Sequence, residues 1–219
     1  MTIEEFKIEI KKLGLNITDE MLEENIKKLE IIYETLIETN KTMNLTRIVT
    51  KEEVYLKHFY DSLTLSKIYD LTKVKTLCDI GTGAGFPGLI LKVFYPNLEI
   101  SLIDSLQKRV NYLNNLIEKL NLTGIKAYHI RAEDLIKKQE KYDIVTARAV
   151  AALPKLLLWT MPLVKNNGRF LAMKGNVEEE LIEAKNILEK NKWYINNKVE
   201  FQLPNKEDKR TILEIKNKA

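Results

Sequence analysis

The chain has 219 residues, of which 45% are hydrophobic and 30% charged, and a formal net charge of +4. This composition excludes disordered, collagenous and low-complexity proteins. The single cysteine, Cys78, excludes an internal disulfide, and the two histidines, His58 and His129, are too far apart for a zinc motif, so we expect no metal.

The first residues contain no basic region followed by an apolar stretch, and no apolar run reaches the roughly 18 residues of a membrane helix. We therefore expect a cytoplasmic protein with no membrane partner. Basic residues exceed acidic ones by nine in residues 41–175, whereas residues 1–40 have a net charge of −5. This distribution is compatible with a nucleic-acid partner, although a lysine-rich solvated surface explains it equally well before any motif is considered.

Residues 19–40 predict an amphipathic helix, because apolar side chains recur at intervals of three and four residues. Thr18 precedes this segment as a good N-cap residue, and Asp19 and Glu20 complement the helix dipole. A second helix is predicted from residue 52 to about residue 69. These two helices form a predicted N-terminal helical extension, residues 1–72.

From residue 73 onward, short apolar segments alternate with helical ones, which is typical of a parallel sheet with helices on both faces. Strands are predicted at residues 74–80, 98–103, 125–130, 142–146 and 168–174, and helices at residues 89–94, 107–120, 153–159 and 177–188. The last two strands, residues 193–201 and 211–216, leave no room for a helix between them and should pair antiparallel. The predicted fold is Rossmann-like α/β, with a mostly parallel seven-stranded sheet in residues 73–219 and an antiparallel C-terminal strand.

The first predicted strand ends in a glycine-rich loop. Gly81, Gly83 and Gly85 follow Asp79, and Asp104 lies 19 residues after Gly85, at the end of the next strand. Such a loop lets the backbone approach a ligand closely, and an acid in this position can bind the ribose of NAD or of S-adenosylmethionine. The dinucleotide fingerprint requires a glycine at its sixth position, where this sequence has phenylalanine. That difference and the antiparallel C-terminal pair favour a methyltransferase.

Four segments carry a more specific pattern. They are Asp79-Ile80-Gly81-Thr82-Gly83-Ala84-Gly85-Phe86-Pro87-Gly88, Ile103-Asp104-Ser105-x-x-Lys108-Arg109, Arg131-Ala132-Glu133 and Thr146-Ala147-Arg148-Ala149-Val150. Together they resemble the motifs of the ribosomal small-subunit methyltransferase G family, also known as glucose-inhibited division protein B. The similarity extends to Met43-Asn44-Leu45-Thr46, His58-x-x-Asp61-Ser62-Leu63 and Lys174-Gly175, so it is dense over residues 40–176.

The resemblance implies a class I S-adenosylmethionine-dependent methyltransferase that acts on N7 of one guanine in bacterial 16S rRNA. Its partner would be 16S rRNA or an assembling small ribosomal subunit, and we expect a monomer. Fold and cofactor do not determine the acceptor, so methylation of a small molecule or a protein is the alternative. An RNA-binding or nucleotide-sensing protein without catalysis is a third interpretation.

Several residues suit the parts of the cofactor. Asp79 and the loop of residues 81–85 suit the methionine end, and Asp104 suits the ribose. Ala132 and Glu133 follow the third strand, where this class usually contacts adenine. In the family, the cofactor is bound by the positions that match Gly81, Phe86, Ala132, Glu133 and Arg148. Without the resemblance, Phe86 would be interpreted as a core residue and Glu133 as an acid at a helix start.

Only six of the 35 basic residues are arginine. In a chain that otherwise uses lysine, each arginine marks a position where a planar, forked donor is required. Arg148 is the strongest candidate, because it interrupts a small, apolar stretch after the fourth strand, although pairing with a structural carboxylate is the alternative. Candidate contacts to the rRNA are Arg47, Lys108, Arg109 and Arg131, and for the last three a solvated position is equally compatible.

Guanine N7 carries an available lone pair, so we expect direct attack on the methyl group, with rate enhancement from positioning and without a general base. Arg148, Lys174 and Asn44 are the candidate catalytic residues, which would clamp the base and its phosphate. Asn44 is equally compatible with a capped turn. His58 is predicted to be a packed or surface helix residue, and Cys78 a buried thiol.

Overall fold

Seven strands form one sheet in the computed structural model, which describes residues 1–218. They are β1 (Thr76–Ile80), β2 (Glu99–Asp104), β3 (Ile125–His129), β4 (Tyr142–Arg148), β5 (Val164–Lys174), β6 (Trp193–Gln202) and β7 (Lys209–Asn217). Their order is β3-β2-β1-β4-β5-β7-β6; within the described residues the two pairs that include β7 are antiparallel and the other four pairs are parallel. This sheet confirms the predicted fold. Helical crossovers permit the parallel pairs, whereas the short β6–β7 connection requires an antiparallel pair.

Helices cover both faces of the sheet. They are α1 (Ile3–Lys12), α2 (Asp19–Met43), α3 (Lys51–Val54), α4 (Asp61–Leu63), α5 (Gly88–Phe94), α6 (Gln107–Lys119), α7 (Ala132–Lys137), α8 (Leu153–Thr160) and α9 (Glu178–Lys190). A π-helical turn, Tyr55–Tyr60, joins α3 to α4, and a 3-10 turn, Thr64–Lys67, follows α4. The second predicted helix is thus present, with a wider turn in its middle. None of the described helices is long and apolar enough to span a membrane.

Side chains of successive residues in the central strands enter two different cores. Leu77 and Leu102 pack with α1 to α6, whereas Cys78 and Ile103 pack with α7 to α9. The strands are apolar on both sides because helices cover both faces. Cys78 is a buried free thiol, as predicted.

Helix α1 lies outside the elements predicted from the sequence. Thr2 and Glu5 form a capping box at its start, in which each side chain accepts a hydrogen bond from the other residue's amide. Phe6 and Ile10 are fully buried, and the Phe6 ring meets Tyr55 edge to face with centroids 5.3 Å apart. A ten-residue helix is too short to be stable alone, so this packing holds it in place.

Strand β4 is longer than predicted and ends at Arg148, which pairs with Met173 of β5. Arg148 therefore lies at the carboxyl edge of the sheet, where ligands bind in open α/β folds. Ala149 follows with a φ of 55°, in the left-handed region, and turns the chain out of the sheet.

Candidate active site

The loop between β1 and α5 depends on glycine at two positions. Gly81 and Gly85 have φ values of 68° and 101°, in the left-handed region that favours glycine. A Cβ atom at Gly81 would lie 2.7 Å from a methyl carbon of Val150, and one at Gly85 would lie 2.8 Å from Leu113 Cδ2. Both conformation and space therefore exclude larger residues here.

Asp79 is fully buried beneath this loop. Its Oδ2 accepts hydrogen bonds from Thr82 Oγ1 at 2.7 Å and from the Gly88 amide at 2.9 Å, whereas Oδ1 has no partner among the described residues. Burial raises the pKa of Asp79 to about 6, although both hydrogen bonds oppose this rise. Asp79 therefore stabilises the conformation of the loop through its hydrogen bonds with Thr82 and Gly88.

A crevice of about 380 Å³, which we call the strand-end crevice, lies at the carboxyl ends of β1, β2 and β3. Its lining includes Gly81, Asp104, Ser105, Arg131, Ala132, Glu133, Val150, Lys155 and Trp159. Ala132 and Glu133 begin α7, where the first amides have no partner within the helix. Free amides, carboxylates and apolar walls match the polar edge and the ring of a purine nucleoside.

Asp104 lies on this crevice and is only 3% exposed. Its Oδ2 accepts from the Gly83 amide at 3.0 Å and its Oδ1 accepts from the Leu106 amide at 2.9 Å. Arg109 Nη1 lies 3.6 Å from Oδ2. The carboxylate is therefore fixed in orientation, and it keeps lone pairs for the two hydroxyls of a ribose.

Arg148 is held on several sides by the helical segment that contains α3 and α4. Its Nη1 donates to the Lys57 carbonyl oxygen at 2.9 Å and to Asp61 Oδ2 at 3.0 Å, and its Nη2 donates to His58 Nδ1 at 3.1 Å. The guanidinium carbon also lies 5.7 Å from the ring centroid of Phe86. Residues of the predicted extension thus fix the side chain at the end of β4.

His58 is packed within a helical segment, in agreement with its prediction, and its ring is neutral. A guanidinium nitrogen can only donate, so Nδ1 carries no proton and Nε2–H donates to Thr46 Oγ1 at 2.9 Å. Burial, with the charge of Arg148 added to it, lowers the pKa of His58 to about 3. The ring stacks on Phe86 with centroids 4.7 Å apart. Phe86 is consequently buried against His58, outside the lining of the strand-end crevice.

Asp61 connects Arg148 to a second arginine that is distant in the chain. Its Oδ1 accepts from Arg210 Nε at 3.0 Å. Both arginines line a second cavity of about 540 Å³, which we call the arginine cavity, and the other charged residues on its lining are Lys57, Asp61, Lys174, Glu180 and Asp208. Four basic and three acidic groups leave one positive charge in surplus, which suits an anion.

Consecutive residues of one segment, 148–150, line the two cavities, and we call this segment the shared wall. Arg148 and Ala149 line the arginine cavity, and Val150 lines the strand-end crevice. Lys174 lies on the arginine cavity, with its Nζ 2.7 Å from both the Ala151 carbonyl oxygen and Glu180 Oε2. Lys174 and Arg148 therefore line the same cavity, and their joint action on a substrate stays a prediction.

Four other residues with predicted roles lie outside the arginine cavity. Asn44 is exposed and caps α2 in the left-handed conformation, with a φ of 51°, and Arg47 is exposed in the segment that follows. Lys108 is exposed on α6 and lines a separate groove against α2. Arg131 lies on the strand-end crevice. The rRNA contacts of these side chains stay predictions.

Sequence reasoning gave no role to Asp61 or Arg210, although both line the arginine cavity. Asp61 belongs to a segment of the family resemblance and could have been selected on that ground. The signal for Arg210 is only the rarity of arginine in a lysine-rich chain. Residues 1–218 contain no cluster of three or more side chains suited to a metal ion.

Comparison with known proteins connects this geometry to a family. The family model described as rRNA small subunit methyltransferase G matches residues 25–213. A ribosomal RNA small subunit methyltransferase G from Bacillus thuringiensis (strain Al Hakam) is 46% identical over 222 aligned positions, covering 100% of this chain and 91% of the relative.

Solved structures share the architecture. Precorrin-6y C5,15-methyltransferase from Geobacter metallireducens GS-15 has a TM-score of 0.55 and 15% identity, over 79% of this chain and 91% of that chain. A ribosomal protein L11 methylase from Lactobacillus delbrueckii subsp. bulgaricus has a TM-score of 0.55 and 18% identity, over 73% and 77% of the two chains. At such identities these structures show the fold alone.

Proposed function

This chain belongs to the rRNA small subunit methyltransferase G family, and we propose that it transfers a methyl group from S-adenosylmethionine to N7 of a specific guanine in 16S rRNA. The observation that carries this proposal is the shared wall, residues 148–150, between a crevice suited to a nucleoside and a cationic cavity. A methyl donor on one side and an RNA nucleotide on the other would meet at this wall.

The residues of the strand-end crevice fit the cofactor. We assign Asp104 to the ribose hydroxyls, the Ala132 amide and Glu133 to adenine, and the loop of residues 81–85 to the methionine end. Asp79 supports that loop through Thr82 and Gly88. Arg148 is assigned to the place where donor and target base meet, because it belongs to the shared wall, and Phe86, which lies outside the crevice lining, is assigned to supporting Arg148 there.

Positioning is the main task of the protein in this reaction. When bound, S-adenosylmethionine supplies a methyl group on a sulfonium, and its sulfur keeps the electrons of the broken bond as the N7 lone pair forms the new one. Guanine N7 has no proton to lose, so no residue is required as a general base. We assign Arg148 and Lys174 to holding the base and its phosphate, and Asn44 to the approach of the RNA. The directed bonds on Arg148 support its part in this arrangement.

The oligomeric state, the RNA partner and the location of the protein are further parts of this proposal. We propose that a monomer binds 16S rRNA or an assembling small subunit in the cytoplasm, where rRNA is modified. Arg47, Lys108, Arg109 and Arg131 remain proposed RNA contacts, and the position of Arg109 beside Asp104 favours a role nearer the cofactor.

A transfer assay tests the function. Purified protein, labelled S-adenosylmethionine and 16S rRNA from cells that lack the modification should give label at one guanine N7, located by borohydride and aniline cleavage with primer extension. Arg148→Lys keeps the charge but loses the fork, so transfer should fall about ten-fold or more. Failure to label either rRNA or small subunits would contradict the proposal. Full transfer by Arg148→Lys and Arg148→Ala would remove Arg148 from the mechanism.

A further inference from the structure

We propose that Arg210 binds a phosphate of the substrate RNA, and that Asp61 is a positioning residue that holds Arg210 and Arg148 on the arginine cavity. This inference rests on the proposed function, because it concerns the same substrate. Arg210 lies outside every motif of the family resemblance, and only the tertiary structure brings it to the site.

Arg210 is anchored along one edge and open along the other. It is the second residue of β7, where its Nε donates to Asp61 Oδ1 and its Nη1 donates to the Lys209 carbonyl oxygen, both at 3.0 Å. Nη2 has no partner in the part of the chain that the structure describes, and the side chain is 21% exposed. The remaining donors are therefore available to a ligand.

Asp61 divides its carboxylate between the two arginines. It is 2% exposed, and its Oδ2 and Oδ1 each lie 3.0 Å from one guanidinium. Burying an unpaired carboxylate costs free energy, but pairing with a single arginine would be enough to offset that cost. Two arginines on one carboxylate leave a net positive charge, and each arginine keeps donors for a further anion.

The surroundings of Arg210 favour a phosphate. Asp208 Oδ1 lies 4.0 Å from Arg210 Nη1, at the limit of an ion pair, and Oδ2 of the same carboxylate is 3.6 Å from Lys57 Nζ. Asp208 is thus shared and does not neutralise Arg210 alone. Arg210 also lines the adjoining cavity, where it and Lys209 are balanced by Glu178 and Glu200, so the phosphate is assigned to the arginine cavity. Guanidinium forks match phosphate oxygens in geometry and charge.

The test measures the binding of 16S rRNA by filter retention, separately from methyl transfer. We expect Arg210→Ala to raise Kd about ten-fold and to reduce the slope of log affinity against log salt by about one. Arg210→Lys should raise Kd less and keep the slope, because the charge stays and the fork is lost. Lys27→Ala is the matched control, since it removes one exposed positive charge from α2, and it should change Kd less than two-fold.

A double-variant comparison tests Asp61. Asp61→Asn, which keeps the shape without the charge, should raise Kd about five-fold in the wild-type background and only about two-fold in the Arg210→Ala background, because the effect exerted through Arg210 is then already lost and only the effect through Arg148 remains. A merely structural role would weaken binding equally in both backgrounds. If the Asp61 variant fails to fold, the Arg210→Lys and Arg210→Ala measurements still decide the phosphate contact.

An unchanged Kd and salt slope for Arg210→Ala would overturn the phosphate assignment, and equal effects of Asp61→Asn in both backgrounds would overturn its positioning role. Failure of the proposed function looks different, because wild-type protein would then bind rRNA without methylating it. Absence of any wild-type binding to 16S rRNA would overturn both.

Discussion

Gly81 touches the shared wall at Val150. A Cβ atom there would lie 2.7 Å and 2.9 Å from the two methyl carbons of Val150, whereas one at Gly83 would meet only the Gly81 carbonyl oxygen, at 3.9 Å. The two glycines have similar φ values, 68° and 59°, so they differ mainly in crowding. The glycine pattern is visible in the sequence, but the contact with Val150 is not, since it joins two separate loops.

Gly81→Ala is expected to lower the free energy of unfolding more than Gly83→Ala, by about 1–3 kcal/mol, because only the first substitution adds overpacking to the backbone strain that both share. Urea denaturation of the cofactor-free protein measures this difference. Equal losses in the two variants would show that Val150 moves aside without cost.

Helix α1 depends on a capping motif that is visible in the sequence and on tertiary packing that is not. Its capping box is visible in the sequence at Thr2 and Glu5, yet the helix stays in place through the ring of Phe6. That ring lies 5.3 Å from the Tyr55 ring and 6.3 Å from the Phe94 ring, in edge-to-face contacts. The helix therefore joins the helical segment around Tyr55 to α5, which follows the glycine loop.

Phe6→Ala should lower the free energy of unfolding by about 3–5 kcal/mol, because it leaves a cavity among these rings. Ile8→Ala on the same helix is the control, since Ile8 is 56% exposed and its loss should cost about 0.5 kcal/mol or less. Thermal and urea unfolding of both variants give the comparison. Similar small costs would mean that α1 is not part of the cooperative unit.

The extension and the sheet share one hydrophobic core. Leu29 and Leu63 of the extension pack in the same cluster as Leu77 and Leu102 of the sheet. Polar contacts also cross this boundary, since Asp61 binds Arg148. We propose that residues 1–72 and 73–219, although distinct in sequence pattern, fold as one unit.

A fragment of residues 73–219 should therefore lack a cooperative unfolding transition and should not bind S-adenosylmethionine, because the apolar surface that α1 to α4 cover on the sheet, α5 and α6 would be open to water. Near-UV circular dichroism and calorimetric titration, with the full chain as reference, test this expectation. A sharp transition with full-length affinity would instead establish 73–219 as an independent domain.

Periodicity and short motifs were enough to predict the succession of strands from residue 73, the helices between them except α7, the N-cap of α2 at Thr18, the glycine loop and Asp104 at a strand end. They were also enough to identify the family. Such features depend on residues close together in the chain, where side-chain spacing and backbone preference act directly.

The arginine cavity could not be predicted in this way. Asp61 is 87 residues from Arg148 and 149 residues from Arg210, and their meeting depends on which helices cover which face of the sheet. The neutral state of His58 has the same origin, because burial and the Arg148 charge lower its pKa only after the chain has folded. The pattern of residue types along the chain does not reveal these contacts, since they follow from packing between elements that are distant in sequence.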